Sequence, residues 1–391
     1  MRILQVHTLY RQAGGEDVVV HAQRDALTRA GHQVWQHIAT NRTGPLGAAT
    51  AVAGSMWNPA AARQVGAVVD EVRPDVAHVH NTWIASSPSV LSALRRRRVP
   101  VVMTVHNYRL RCANGLFLRD GAPCEECLDR SPWPAVRHRC YRNSRGASAL
   151  AAAFIAVHSE LGTWSRLVDR FIVLNRFARE RLIRAGLPAR KLTLGSNFVE
   201  DPGRRASPPS MSREVLFVGR VSPEKGISVL LEAWRRAAPV GLRLVVIGDG
   251  PDRARLQAGA PPGVEFAGRR SAGEVMDAML RARALVIPSI CYEMQPMTAL
   301  EGMAAGTPLL VSKIGGLPEL LGKGGAGWTS VPNDAGALAR TLAGLTADGA
   351  VDERGAHARQ RYLEAYESSA VIQRLESVYD SARGVVASPP G

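Results

Sequence analysis

Three observations predict an α/β protein built from two doubly wound parallel sheets. Short apolar runs recur along the chain, helical stretches separate them, and a Pro/Gly/Ser-rich segment near the middle interrupts the alternation before it restarts. At 391 residues the chain has the length of two ordinary domains.

In the first half, residues 2–8 (RILQVHT) read as a buried strand and 14–33 as a glycine loop opening a helix. Further strands are expected at 34–39, 75–80, 99–106, 170–175 and 191–198, with helical segments between them. Residues 108–146, rich in Arg, Cys and Pro, break this rhythm and read as an insertion. Residues 201–212 (DPGRRASPPSMS) carry no apolar periodicity and read as a linker. Beyond it, strands are expected at 214–220, 242–250, 264–268, 284–289, 308–312 and 326–331. Ile227, Leu230, Leu231 and Trp234 fall at i, i+3, i+4 and i+7, one buried helical stripe. The tail from about Asp352 to Arg383 reads as helical. The expected division is thus 1–200, linker 201–212 and 213–391, with the final helices packing back toward the first domain. Open parallel sheets bind ligands beyond the carboxyl ends of their strands, so two of them facing across a cleft would place the site there.

Composition removes several classes. No apolar run reaches the roughly 18 residues that span a bilayer, and MRILQVHTLY enters a strand without a secretory leader, which predicts a cytoplasmic protein. Five cysteines do not make a secreted disulfide scaffold. The net charge of +15 invites a nucleic-acid reading, but with only 5% aromatic residues no basic platform interleaved with rings is present. The charge is also uneven. Residues 1–200 hold 27 basic and 14 acidic side chains, and residues 201–391 hold 22 and 20.

The chemistry-bearing residues concentrate at strand ends of the second half. In CYEMQPMTALEGMAAGTP (291–308), Glu293 follows a strand and Glu301 stands eight residues later, inside the helix that Pro296 opens. A carboxylate beyond a strand accepts hydrogen bonds from sugar or ribose hydroxyls, and the helix N-terminus offers N–H groups to an anion. Two glutamates at this spacing also suit a solvated helix. In FVGRVSPEKG (217–226), Arg220 at a strand end and Lys225 five residues on form a candidate diphosphate clamp. GDGP (248–251) permits close backbone approach at Gly248, but Arg253 occupies the third glycine position of a dinucleotide fingerprint, which removes the main support for a nicotinamide enzyme.

Taken in order, the Gly14-Gly15 loop, DVAHVHNTW (75–83), TVHNY (104–108), FVGRVSPEKG, GDGP, Glu293-x7-Glu301 and AAGTPLLVSKIGGLPEL (304–320) resemble glycosyltransferase family 4 over nearly the whole chain. These are retaining GT-B enzymes with two Rossmann-like domains and nucleotide-sugar donors. The resemblance implies that the second domain binds the donor. Arg220 and Lys225 would hold its diphosphate, Glu301 the ribose and Glu293 the sugar hydroxyls, with Gly248, Met297 and Thr298 beside them. It places His106 near the reacting centre and lets the first loop approach the donor at Gly15; His80 reads as a satisfied strand-end histidine. The implied reaction moves a sugar to a glycan or lipid-linked acceptor with retention of configuration, in polysaccharide, glycolipid or cell-envelope glycan synthesis. Two fixed cations and the lack of an Asp-x-Asp pair imply no catalytic metal.

Met294 and Gln295 depart from the family, which usually has Gly and then an aromatic or small residue after the first motif acid. Alternatives on the same fold are a nucleotide-sugar epimerase, whose acid/base carboxylates find no candidates, and a catalytically degenerate glycan-binding subunit.

Within the insertion, Cys112, Cys124, Cys127 and Cys140 have the composition of a tetrahedral structural zinc site, with His138 as a substitute ligand. Reduced thiols in an ordinary loop are the other reading. Following directly on His106, the insertion would wall the acceptor side, with Asn107, Tyr108 and Arg109 at its base. The basic first half suits an anionic membrane surface, as a peripheral protein on the inner face, with Arg95–Arg98 as the candidate contact.

Overall fold

The computed structural model describes residues 1–10, 14–41, 54–129, 131–323, 325–347 and 349–387. The chain divides into two compact units, one of Met1–Gly115, Glu125–Ser196 and Ser369–Gly391, the other of Leu116–Cys124 and Asn197–Ser368. Each expected apolar run forms a strand.

The first unit holds β1 (Arg2–Leu9), β2 (Gln33–Thr40), β3 (Val76–Asn81), β4 (Val101–Val105), β7 (Arg170–Val173) and β8 (Leu192–Leu194). They form one parallel sheet in the order β2-β1-β3-β4-β7-β8. β3 and β4 are buried at every position, as central strands covered on both faces must be. The chain order reverses between β1 and β3, and that is where an open sheet leaves a crevice beyond its strand ends.

The second unit repeats the architecture with β9 (Glu214–Val218), β10 (Arg243–Ile247), β11 (Val264–Gly268), β12 (Ala284–Ile287), β13 (Leu309–Ser312) and β14 (Gly327–Ser330). The order is β11-β10-β9-β12-β13-β14, the doubly wound arrangement with its switch between β9 and β12. One face packs Ile227, Leu230, Leu231 and Trp234 of the helix Ile227–Ala237 against Val215, Phe217, Leu244 and Val246. The other packs Leu300 and Met303 of the helix Met297–Ala304 against Leu285, Leu309 and Val311. A short hairpin, β5 (Leu118–Arg119) with β6 (Ala122–Pro123), belongs to this unit as well.

Two boundaries differ from the reading of the sequence. Residues 201–212 are tied down within the second unit. Arg205 donates to the carbonyls of Gly306 and Ala282 at 3.0 and 2.8 Å, and Ser210 donates through N and Oγ to Asp352 at 2.8 and 2.6 Å. Low apolar content hid an anchor made by side-chain hydrogen bonds. The insertion also does not stay whole, since Leu116–Cys124 groups with the second unit. The helical tail consists of Val351–Ala365, in the second unit, and Ser368–Ala387, nearly all of it in the first. There Tyr379 and Glu376 bond His78 and His32 at 2.8 and 2.6 Å.

Candidate functional site

In the second unit the expected donor residues gather at the switch point. Arg220, two residues past β9, is exposed. Lys225 closes the turn Pro223–Lys225, and Glu293 lies in the loop after β12. Gly226 brings those two loops together. Its φ of 71° suits glycine, and a Cβ there would lie 1.9 Å from the Pro288 carbonyl oxygen. Ile290 N donates to Glu224 O at 3.0 Å and completes the join. Lys225 Nζ and Ser289 Oγ then both donate to Glu293 Oε1, at 2.6 and 2.8 Å. Burial works against the Lys225 charge, but the Glu293 carboxylate together with Cys291 and Glu224 outweighs it, and the lysine pKa lies above its ordinary value.

Glu301 is the fifth residue of the helix Met297–Ala304, and burial raises its pKa. Met297 and Thr298 open that helix behind Pro296, so their N–H groups lie in its orphan first turn. Met294 and Gln295 are both buried, and Gln295 Oε1 accepts from Asn197 N at 2.7 Å. These departures from the family therefore turn into the protein and brace the start of the segment 197–212. Gly248 also has a packing role. At φ 142° its Cβ would lie 1.9 Å from Gly219 O, so the glycine lets the loops after β10 and β9 pack backbone to backbone. Tyr292, next to Glu293, meets the ring of Phe117 edge-on at 6.2 Å between centroids.

In the first unit, the ends of β1, β3 and β4 carry a run of imidazoles. His78 stacks on His80 at 4.2 Å and His80 on His106 at 5.3 Å between centroids. His80 Nδ1 lies 3.0 Å from His106 Nε2, so one proton joins the two rings. His80 is therefore the direct partner of His106, which its place at a strand end did not reveal. Burial depresses the pKa of His78 and His106 to about 3 and that of His80 well below its ordinary value. A neutral His106 acts as a hydrogen-bonding group, not as a cation. A half-open recess beside it is lined by His80, Trp83, Arg109, Phe154 and Trp164. Arg109 lies over the Trp83 and Tyr141 rings at 4.9 and 5.2 Å. Asn107 accepts from Arg109 N at 2.9 Å, which sets the turn after His106. The Gly14-Gly15 pair starts the helix Gly15–Arg29, with Gly14 N donating to Asp17 Oδ2 at 2.9 Å.

Among the described residues, no three His, Cys, Asp or Glu side chains are placed to hold a metal. Cys112 Sγ instead meets Asn114 Oδ1 at 3.0 Å, Cys127 Sγ meets Pro132 O at 3.8 Å, and none of the five cysteines is in a disulfide. His138 pairs with Glu126 at 3.4 Å. The Arg95–Arg98 run is exposed at the end of the helix Ser89–Arg96, with Arg95 paired to Asp169 and Arg97 to Asp70. Among the described residues no helix is long and apolar enough to cross a membrane.

Comparison with known proteins agrees with this geometry. Residues 13–201 match the model for Glycosyltransferase Family 4, and residues 203–362 match that for glycosyl transferases group 1. The chain is 29% identical to a glycogen synthase of Mycobacterium tuberculosis over 325 residues, covering 80% of this chain and 70% of that one. It is 30% identical over 204 residues to a phosphatidyl-myo-inositol mannosyltransferase of Mycobacterium leprae, covering 48% and 54%. Among solved structures, Anabaena HepE in complex with UDP superposes with a TM-score of 0.70 at 16% identity, over 97% of this chain and 100% of that one. HepE has also been solved with UDP-glucose. A sucrose-phosphate synthase from Thermosynechococcus elongatus gives 0.71 at 18% identity, over 98% and 99%. With two Rossmann-like units of the GT-B fold and both family models matched in sequence, the chain belongs to glycosyltransferase family 4.

Proposed function

We propose that this glycosyltransferase moves a sugar from a nucleoside-diphosphate sugar to a glycan or lipid-linked acceptor with retention of anomeric configuration, in polysaccharide, glycolipid or cell-envelope glycan synthesis. The observation that carries the reading is the convergence of Lys225, Glu293 and Ser289 at the β9/β12 switch point, with Arg220 and the helix Met297–Ala304 beginning beside them in the same loops. The donor lies on the second unit. Arg220 and Lys225 take the diphosphate, Glu301 the ribose and Glu293 the sugar hydroxyls. The UDP and UDP-glucose held by the Anabaena relative support a donor of this class.

As the bond between sugar and diphosphate breaks, negative charge grows on the leaving phosphate. Arg220, Lys225 and the first N–H groups of the helix at Met297 and Thr298 stabilise that charge without an added metal. The acceptor hydroxyl attacks from the face the diphosphate leaves, and the departing phosphate oxygen takes its proton. The first unit carries the acceptor, with neutral His106 as a hydrogen-bonding group and the recess beside it as a contact surface. The excess positive charge of residues 1–200 suits an anionic lipid surface or a phosphate-bearing carrier at the inner face of the membrane.

A panel of nucleotide sugars, assayed for nucleoside diphosphate release with and without acceptors, tests the reading, and NMR of the product gives the anomeric outcome. Acceptor-dependent release with an inverted product would overturn retention. A free sugar or an epimerised donor as the sole product would overturn transfer. Failure to pellet with anionic vesicles at low salt would remove the membrane element.

A further inference from the structure

The first glycine loop carries an acid that the donor site leaves unused. Glu16, second residue of the helix Gly15–Arg29, turns inward until only 9% of its side chain is exposed. Its Oε2 accepts from the Tyr10 hydroxyl at 2.7 Å, and that hydroxyl accepts from Asn107 Nδ2 at 2.9 Å. Among the described residues its Oε1 has no hydrogen-bond partner; it is buried and lies 3.8 Å from His7 Nδ1, which is also buried and without a partner among them. The other ring nitrogen, His7 Nε2, meets Asp17 Oδ1 at 2.8 Å. Asp17 also accepts from Tyr10 N at 3.4 Å and Gly14 N at 2.9 Å, so its carboxylate holds both ends of the glycine loop.

These contacts decide where the protons sit. Asp17 is an acceptor on every side, so the His7 proton is on Nε2 and Nδ1 presents a lone pair. An ionised Glu16 would set a second lone pair against it; a neutral one sets an O–H there. We propose that Glu16 is a proton-holding positioning residue, whose neutral carboxyl sets its O–H against the His7 lone pair, accepts from Tyr10 and so ties the Gly14-Gly15 loop to Asn107 and the adjacent His106, and whose deprotonation slows transfer. The proposal rests on the transferase reading above. Among the described residues, the groups facing Glu16 are Tyr10 and His7 from β1 and its end, Asp17 from its own helix and Arg109 from the turn after β4. Burial dominates and raises its pKa to about 8, with Asp17 adding to the shift and the Tyr10 hydrogen bond and Arg109 opposing it.

The test compares wild type, Glu16→Gln and Glu16→Leu. Transfer by the wild type should fall on an alkaline limb near pH 8. Glu16→Gln, which mimics the neutral acid, should keep most of the neutral-pH turnover and lose that limb. Glu16→Leu should lose roughly tenfold or more in kcat, since it can neither donate nor accept. An inactive Glu16→Gln at pH 7, or an unchanged limb in it, overturns the proposal. A second arm needs no donor. The folded state keeps a proton that the unfolded chain releases above the ordinary value of 4.5, so Glu16 makes stability fall as pH rises from there to about 8. The Tm of Glu16→Gln should lack this decline, whereas parallel Tm–pH curves overturn the proposal. If no donor supports transfer but the Tm curves diverge, the catalytic reading fails and the proton assignment stands.

Discussion

The Lys225 ammonium donates a 2.6 Å hydrogen bond to Glu293 Oε1, so two groups assigned to different parts of a donor are already partners. Their side chains are 30% and 13% exposed, and Ser289 shares the same carboxylate oxygen. On the proposed reading, a diphosphate arriving at Lys225 meets a lysine whose position and charge are already set. Lys225→Ala should weaken nucleoside diphosphate binding and cut kcat/KM by about 10²-fold or more. Arg220→Ala should do the same. Glu293→Gln should leave nucleotide affinity within a few-fold while lowering turnover. Titration calorimetry with the nucleotide, alongside transfer rates, separates these cases. Equal loss of nucleotide affinity in Glu293→Gln and Lys225→Ala would show that the pair acts as one phosphate site.

Gly226 and Gly248 are glycines the fold needs, and Gly14 is one it does not. Alanine at Gly226 or Gly248 would place its Cβ 1.9 Å from a carbonyl oxygen, at φ of 71° and 142°. Each should cost about 3 kcal/mol or more in urea unfolding. Gly14, by contrast, has an ordinary φ of −129°, and a methyl group there would meet nothing within 4 Å. Gly14→Ala should cost no more than about 1 kcal/mol, the N-cap preference. If the first loop approaches the donor, that variant should lose about tenfold in transfer while melting normally. Normal transfer would free the loop of a ligand contact.

His80 calls for a separate test because it holds His106 through the 3.0 Å contact between their ring nitrogens. His80→Ala should lower kcat by about 10- to 100-fold through loss of orientation, with the donor KM little changed. His106→Ala should lower it at least as far. If the double variant is no worse than His106→Ala alone, the two act as one unit; additive losses would make His80 independent.

The strands were legible because buried parallel strands are nearly continuous apolar runs, and the stripe Ile227, Leu230, Leu231, Trp234 because one helix face packs on a sheet. The residues proposed for the donor stood out because they follow strand ends. The long-range side-chain bonds were not. Nothing local links Arg205 to Ala282, Gln295 to Asn197, or Tyr379 to His78, yet these set where the units begin and end. Glu16 escaped for a related reason. Beside two glycines it reads as a solvated first-turn acid, and only the fold brings Tyr10, His7 and Asn107 around it.

Acid should unfold the first unit early. Burial keeps His78 and His106 neutral down to about pH 3 and holds His80 well below its ordinary value, whereas unfolded histidines take a proton near 6.5. The unfolded state thus binds more protons between those values. Stability is fully present above about 6.5 and is lost as pH falls, with each such histidine adding a slope of up to about 1.4 kcal/mol per pH unit. Tyr379→Phe probes the same stack from the closing helix. It removes the hydroxyl 2.8 Å from His78 Nδ1 and leaves Thr104, at 2.7 Å from Nε2, as the partner of that ring. The expected cost is about 1–2 kcal/mol at pH 7.5, because a buried ring nitrogen goes unpaired. The difference from wild type should stay constant across pH 5–8 in urea unfolding, because burial keeps His78 neutral down to about pH 3 with or without the hydroxyl. A difference that shrinks below pH 6 would mean that the Tyr379 hydrogen bond, and not burial in the sheet, holds His78 neutral.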